Sequence, residues 1–200
     1  MRLFCVLTLL IAAPAWAQEG PSFDCAKAAS SAEELVCSDP NLAVADRQLA
    51  ETYARALAAA RSLDAGADQA EATLKTTQRG WIGGRDDCWK ADDLKACVGR
   101  AYLTRDAELV ALWMLDESMT EAAWRCGDNP ANKVYVMYFD TLLPGIRVEY
   151  GDGIEAMQLS PTTSGSRYDG TFGRFFWEKG GEATFAWTEG EAQSCVLVAG

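Results

Sequence analysis

The spacing of apolar residues changes once along this chain. Up to about residue 116 the apolar positions recur every three or four residues, and from about residue 124 they alternate with polar ones, which is the difference between helix and strand. In the first stretch, Ser31-x-x-Glu34 is a capping box for a short helix ending near Cys37. Asp39-Pro40 then supplies a cap and a proline at the first helical position, and Leu42, Ala45, Leu49, Tyr53, Ala56 and Ala60 follow on one face. This predicts a long helix from Pro40 to about Leu63, ended by Gly66. A second long segment places Ala70, Leu74 and Trp81 together before Gly83-Gly84 interrupts it. A last helix is predicted from about Asp92 to Leu115, with Leu94, Cys97, Ala101, Leu109 and Leu112 facing inward. Short linkers between long helices imply an antiparallel bundle.

The second stretch reads as strands at Lys133 to Phe139, Ile146 to Tyr150, Ile154 to Leu159, Arg167 to Thr171, Gly173 to Trp177, Ala183 to Trp187 and Ser194 to Val198. Gly-Asp-Gly, Ser-Gly and Lys-Gly-Gly turns join them, so an antiparallel meander follows, and a small barrel is the way for it to hide its edges. The expected fold is α+β in two segregated domains: a helical bundle over 18–119 and a β-barrel of about eight strands over 120–200, meeting near Glu117 to Glu121.

Residues 1–17 form neither domain. Arg2, an apolar run from Leu3 to Ala13 and the Ala15-Trp16-Ala17 site before Gln18 read as a secretory signal peptide, placing the mature chain in the periplasm or outside the cell. Cys5 sits within the apolar run and not just after a cleavage site, so it does not read as a lipid-attachment cysteine. No later segment reaches the roughly 18 apolar residues that a membrane span requires. Export changes the reading of Cys25, Cys37, Cys88, Cys97, Cys126 and Cys195, which are expected as disulfides. Fifteen pairings are formally open to six cysteines. The spacing favours Cys25 with Cys37 and Cys88 with Cys97, leaving Cys126 and Cys195 to close a long loop worth roughly 4 kcal/mol and staple the two ends of the sheet, Cys126 lying just before the first strand.

Charge and chemistry narrow the function. With a formal charge of −11 the chain is a poor ligand for nucleic acid or an anionic membrane and a good one for a cationic protein. The chain has no histidine, which removes Ser-His and Cys-His nucleophilic pairs and the usual metal sites, and no cofactor motif appears. Asp86-Asp87 and Asp92-Asp93 are the carboxylate pairs left for acid/base work, and turn and cap roles account for them more simply. An enzyme is the weaker hypothesis.

The ordered set Ser164-Gly165-Ser166-Arg167-Tyr168, Phe176-Trp177-Glu178-Lys179-Gly180 and Glu182-Ala183, framed by Cys126 and Cys195, resembles the c-type lysozyme inhibitors MliC and PliC over about Trp124 to Val198. That resemblance implies an eight-stranded antiparallel barrel whose serine and lysine loops enter the lysozyme cleft. The roles fall on Ser164 and Lys179, with Gly165, Arg167, Tyr168 and Gly180 around them. Glu178 departs from the family pattern, and its carboxylate is expected to pair with Lys179. Cys25, Glu34-x-x-Cys37, Leu42, Asp46, Leu49, Tyr53 and Trp81-x-x-x-Arg85-Asp86-x-Cys88 resemble the LprI-like domain of exported bacterial proteins over about 24 to 112. Trp81 and Arg85 read as structural there, a packed indole and a guanidinium held by nearby carboxylates. The competing function is a cell-envelope module binding a glycan or lipid, which requires an apolar barrel cavity open to solvent.

Overall fold

The structure is a computed structural model that describes residues 20–129 and 131–198. Residues 1–17, expected as a signal peptide and including Cys5, lie outside the described residues. The helical half contains α1 (Ser31–Ser38), α2 (Pro40–Arg61), α3 (Ala67–Asp86) and α4 (Leu94–Trp113). The barrel half contains β1 (Thr120–Cys126), β2 (Lys133–Phe139), β3 (Gly145–Tyr150), β4 (Gly153–Ser160), β5 (Ser166–Asp169), β6 (Phe175–Lys179), β7 (Glu182–Ala186) and β8 (Ala192–Leu197). All neighbouring strands are antiparallel, and β1 pairs with β8 to close the barrel.

Local chemistry sets the helix starts. Asp39 caps α2 by accepting from the amides of Asn41 and Leu42, with Pro40 in the first turn where its missing N–H costs nothing. The α1 box is shifted by one residue from its expected place. Ser30, extended at φ −118°, is the cap and accepts from the Glu33 amide at 3.1 Å, while the Glu33 carboxylate accepts from the Ala29 amide at 2.8 Å. Gly83-Gly84 do not interrupt α3, which continues to Asp86. Each glycine costs a helix about 1 kcal/mol. The anchoring of Trp81 and Arg85 on either side offsets that: the Trp81 indole donates to the Ala101 carbonyl at 3.1 Å, and Arg85 is buried at 4 % exposure.

The bundle core gathers Leu42, Leu49, Ala56, Ala60 and Leu74 with Val98, Tyr102 and Leu109, Trp81 packing at its edge. The Cys25–Cys37 and Cys88–Cys97 disulfides pin it. Within it, Arg85 contacts both Asp86 oxygen Oδ1, at 2.7 Å, and the Tyr102 hydroxyl at 3.0 Å, and that hydroxyl donates onward to Asp46 at 2.9 Å. Burial and the Asp46 carboxylate push the Tyr102 hydroxyl above its ordinary pKa, so it remains a donor.

The barrel interior is filled. Trp124, Val134, Val136, Ile146, Val148, Met157, Phe176 and Phe185 form one buried cluster, with the Trp124 and Phe176 rings edge to face at 5.3 Å. Each of these side chains is at most 2 % exposed. Cys126 is the last residue of β1, not a residue before the first strand, and faces its disulfide partner Cys195 directly across the β1–β8 seam. The bond therefore locks the closure of the barrel.

One helix belongs to both halves. Arg105 to Ala111 of α4 are almost wholly buried, Glu108 excepted, because one face packs on the bundle and the other on the barrel. Val110 and Ala111 cluster with Phe139 and Ala156. Gly145 leaves room for Ala107, whose Cβ would lie only 3.4 Å from any Cβ added there. The Arg147 guanidinium donates to the Leu112 carbonyl at 2.6 Å and pairs with Glu149 at 2.7 Å.

Candidate functional site

Four chain segments meet at one end of the barrel. The meander puts the α4–β1 link, the β2–β3 loop, the β4–β5 loop and the β6–β7 turn at the same end, since each strand reverses the last. The β4–β5 loop carries Ser164, and β6 ends in Lys179. Gly180-Gly181 form a two-residue turn, Lys179 and Glu182 facing each other across it, with Gly180 at φ +64°.

Gly165 brings the loop and the turn together. At φ +69° it adopts a backbone that L residues avoid, and a Cβ there would sit 2.2 Å from the Glu178 carbonyl and 3.1 Å from Lys179 Cβ. The Ser164 loop is thus pressed onto the end of β6. The Trp177 indole fastens it by donating to the Ser164 carbonyl at 2.9 Å. A groove of about 410 Å³ results, lined by Ser164, Trp177, Lys179, Glu182, Thr184, Ser194 and Val196 among others. Lys179 is exposed, and among the described residues it forms no ion pair.

The other residues expected with this pair divide by strand face. Arg167 lies on the outer wall, 4.1 Å from the Phe175 ring centroid and paired with Asp169 at 2.8 Å, opposite Trp177 in the ladder. Tyr168 does not reach the groove: at 8 % exposure its ring belongs to the barrel core, 6.1 Å from Tyr138. Gly180 shapes the turn, and a Cβ added there would meet no heavy atom within 4 Å outside its chain neighbours.

Glu178 corrects the expected pairing with Lys179. Successive residues of a strand point to opposite faces, so Glu178 turns into the barrel mouth while Lys179 turns out. The Glu178 carboxylate accepts from the Tyr138 hydroxyl at 2.7 Å. Burial raises its pKa above the ordinary carboxylate value, the Tyr138 hydrogen bond opposing that rise. The same burial raises the Tyr138 hydroxyl. Trp124 Nε1, fully buried, is an unpaired donor among the described residues.

Three of the four aspartates considered for catalysis have structural partners. Asp86 is held by Arg85, Asp87 pairs with Lys90 at 2.8 Å, and Asp93 caps α4 by accepting from the Ala96 amide at 2.9 Å. No group of three or more metal-ligating side chains occurs among the described residues. No helix among them is long and apolar enough to cross a membrane. Sequence reasoning missed Thr184, Ser194 and Val196 as groove residues. Their only signal was the β6–β7–β8 register, which sets Trp177 against Thr184 and Thr184 against Ser194.

Comparison with known proteins divides the chain as its geometry does. Residues 124–194 match the family described as membrane-bound lysozyme-inhibitor of c-type lysozyme, and residues 25–93 match the family described as lysozyme inhibitor LprI. Over 165 residues the chain is 32 % identical to lipoprotein LprI of Mycobacterium tuberculosis and of Mycobacterium bovis, covering 82 % of this chain and 78 % of the relative. The chain belongs to the LprI family. A match of that length runs across both halves of this LprI-family chain. An uncharacterized protein of Rhizobium meliloti is 39 % identical over 87 residues, covering 40 % of this chain and 62 % of that protein. No solved structure matches.

Proposed function

We propose that this LprI-family protein is an exported, periplasmic inhibitor of c-type lysozyme. The region 120–200 acts as the inhibitory head, and the region 18–119 is the helical body that carries it. One observation bears most of the weight: Ser164 and Lys179, on two different turns, line one groove and are held there by Gly165 against the Glu178 carbonyl. Lysozyme works with a protonated acid and an ionised carboxylate about 5 Å apart in a cleft. Lys179 supplies an exposed ammonium for the ionised group, and Ser164 supplies a hydroxyl for the acid. Close interfacial charge pairs couple by roughly 1.5 to 7 kcal/mol, so one lysine is enough to dominate affinity. The charge of −11 steers a cationic enzyme toward the inhibitor and makes association sensitive to salt.

Titrating the mature protein into a c-type lysozyme lysis assay tests this reading. Full lytic activity in the presence of micromolar protein would sink it. Lys179→Ala is expected to weaken inhibition at least tenfold with the melting temperature unchanged, because Lys179 is exposed and makes no internal ion pair among the described residues. An equal loss in both would make Lys179 a folding residue.

A further inference from the structure

The way α4 lies on the barrel has a consequence for how a partner is held. Its residues track β4 in the reverse sense. Leu112 shares a groove with Ile154 and Ala156, Val110 and Ala111 cluster with Ala156, Ala107 lies against Gly145 beside the Met157 carbonyl, and Arg100 donates to the Leu159 carbonyl at 3.3 Å. Descending α4 therefore means moving along β4 toward Ser160 and the loop that carries Ser164. Residues 94–99 remain before Arg100, and at 1.5 Å per residue they carry the helix about 9 Å further. The bundle thus overhangs the barrel at the end where Ser164 and Lys179 sit.

The tip of that overhang is not an ordinary solvated turn. Trp89 stands in the 3-10 turn Asp87–Lys90 just ahead of α4, and it is 65 % exposed. Single exposed apolar residues are common, but this one is large, and its backbone is pinned by the adjacent disulfide. Its neighbour Cys88 is buried and bonded to Cys97 of α4, and Lys90 lies 5.4 Å from the centre of its ring. A pinned backbone lowers the entropy cost of presenting the ring, and tryptophan is enriched among energetically dominant interface positions. Around it Asp92 and Asp93 are exposed while Asp87 is paired with Lys90, so the tip keeps a small excess of acid within a chain of charge −11, which favours a cationic partner.

We propose that this tip, with Trp89 as its anchor, is a second contact for the same lysozyme that the Ser164–Lys179 groove engages. The proposal rests on the inhibitor reading above and adds that the helical half binds the enzyme directly, beside the cleft, on its cationic surface. The groove opens on the outer wall of β6–β8 and α4 lies on the wall of β2–β4, so a partner that touches both reaches across the barrel end that the overhang adjoins. Trp89 touches no catalytic group; its part is to slow dissociation.

Affinity for a c-type lysozyme is measured with the full mature chain as wild type, Trp89→Ala, Trp89→Phe and Lys179→Ala, with melting temperatures alongside. Trp89→Ala is expected to bind at least tenfold more weakly, chiefly through faster dissociation, at an unchanged melting temperature; Trp89→Phe should stay within about threefold of wild type. In the unsubstituted chain, amide exchange over 87–93 should slow on complex formation, a readout independent of any variant's folding. Affinity within twofold for Trp89→Ala together with a loss for Lys179→Ala overturns the second contact and leaves the inhibitor reading standing. Unchanged exchange over 87–93 overturns it as well. A Trp89→Ala effect on self-association, with lysozyme affinity kept, assigns the tip to a second copy of the chain and overturns it. No binding by the wild type overturns both readings at once.

Discussion

The two halves spend their polar chemistry in opposite directions. In the bundle two charged groups that carry the family resemblance, Arg85 and Asp46, turn inward and are joined through the Tyr102 hydroxyl in a buried chain of hydrogen bonds that Asp86 closes. In the barrel the corresponding signature is split by the strand period, with Tyr168 and Glu178 turned in and Arg167, Trp177 and Lys179 turned out. The polar part of a family motif on a helix can therefore be largely structural. On a strand, half of the motif is bound to face solvent, where it can meet a partner.

The largest effect that would sharpen this contrast is expected at Arg85. Removing one partner of a buried ion pair costs about 3 to 5 kcal/mol, and with Asp86 30 % exposed the cost here falls toward or below the lower figure, so Arg85→Met, which also strips the Tyr102 hydroxyl of its donor, should lower the melting temperature clearly. Inhibition per folded molecule should persist. A variant that melts normally but fails to inhibit would make Arg85 a binding residue and break the contrast.

Gly165→Ala comes next. Its added methyl group must move the Glu178 carbonyl out of the way at a positive φ, which costs about 1 to 3 kcal/mol and separates the Ser164 loop from the Lys179 turn. Stability and inhibition should both fall, and inhibition by more than the loss of folded protein accounts for. Undiminished inhibition would show that the groove need not be preformed. Lys179→Ala follows, with its tenfold loss of inhibition and no loss of stability.

The smallest effect belongs to Glu178. Its folded-state pKa is raised by burial, so the folded protein holds that proton more tightly than the unfolded chain does. Glu178 thus costs nothing below the ordinary glutamate pKa, and the protein loses stability as pH rises from there through the folded-state value. Glu178→Gln keeps an acceptor for the Tyr138 hydroxyl and removes that loss. The melting temperature of the variant relative to wild type should climb modestly between pH 4 and pH 7, with inhibition unchanged. A flat difference would mean that Glu178 is solvated, and reduced inhibition would mean that it belongs to the outward set after all.

Much of the fold was legible because it rests on short-range patterns. Pro40 after Asp39, the three-and-four spacing through Ala60, and the alternation from Lys133 to Phe139 each predict an element that forms close to its expected bounds. Strand β1 was not legible, since Glu121-Ala122-Ala123 has helical composition and becomes a strand only by pairing with β2 and β8. Gly83 and Gly84 misled in the other direction, their local cost being outweighed by what Trp81 and Arg85 bury. For α4 the inward face was only partly legible, because its middle has two inward faces. At the groove, Ser164 and Lys179 were readable as a motif, whereas Thr184 and Ser194 enter it through a strand register that no single segment encodes.

The sequence by itself determined the two kinds of element, the cysteines available to staple them, the acidic charge and the pair of turns bearing a serine and a lysine. These depend on residue type and on neighbours within a few positions. Tertiary structure alone decided that Glu178 faces away from Lys179, that Gly165 locks one turn against the other, and that α4 carries the bundle out over the barrel end. Each of those turns on which surfaces meet across long sequence separations, where packing between distant segments outweighs the preference of any one of them.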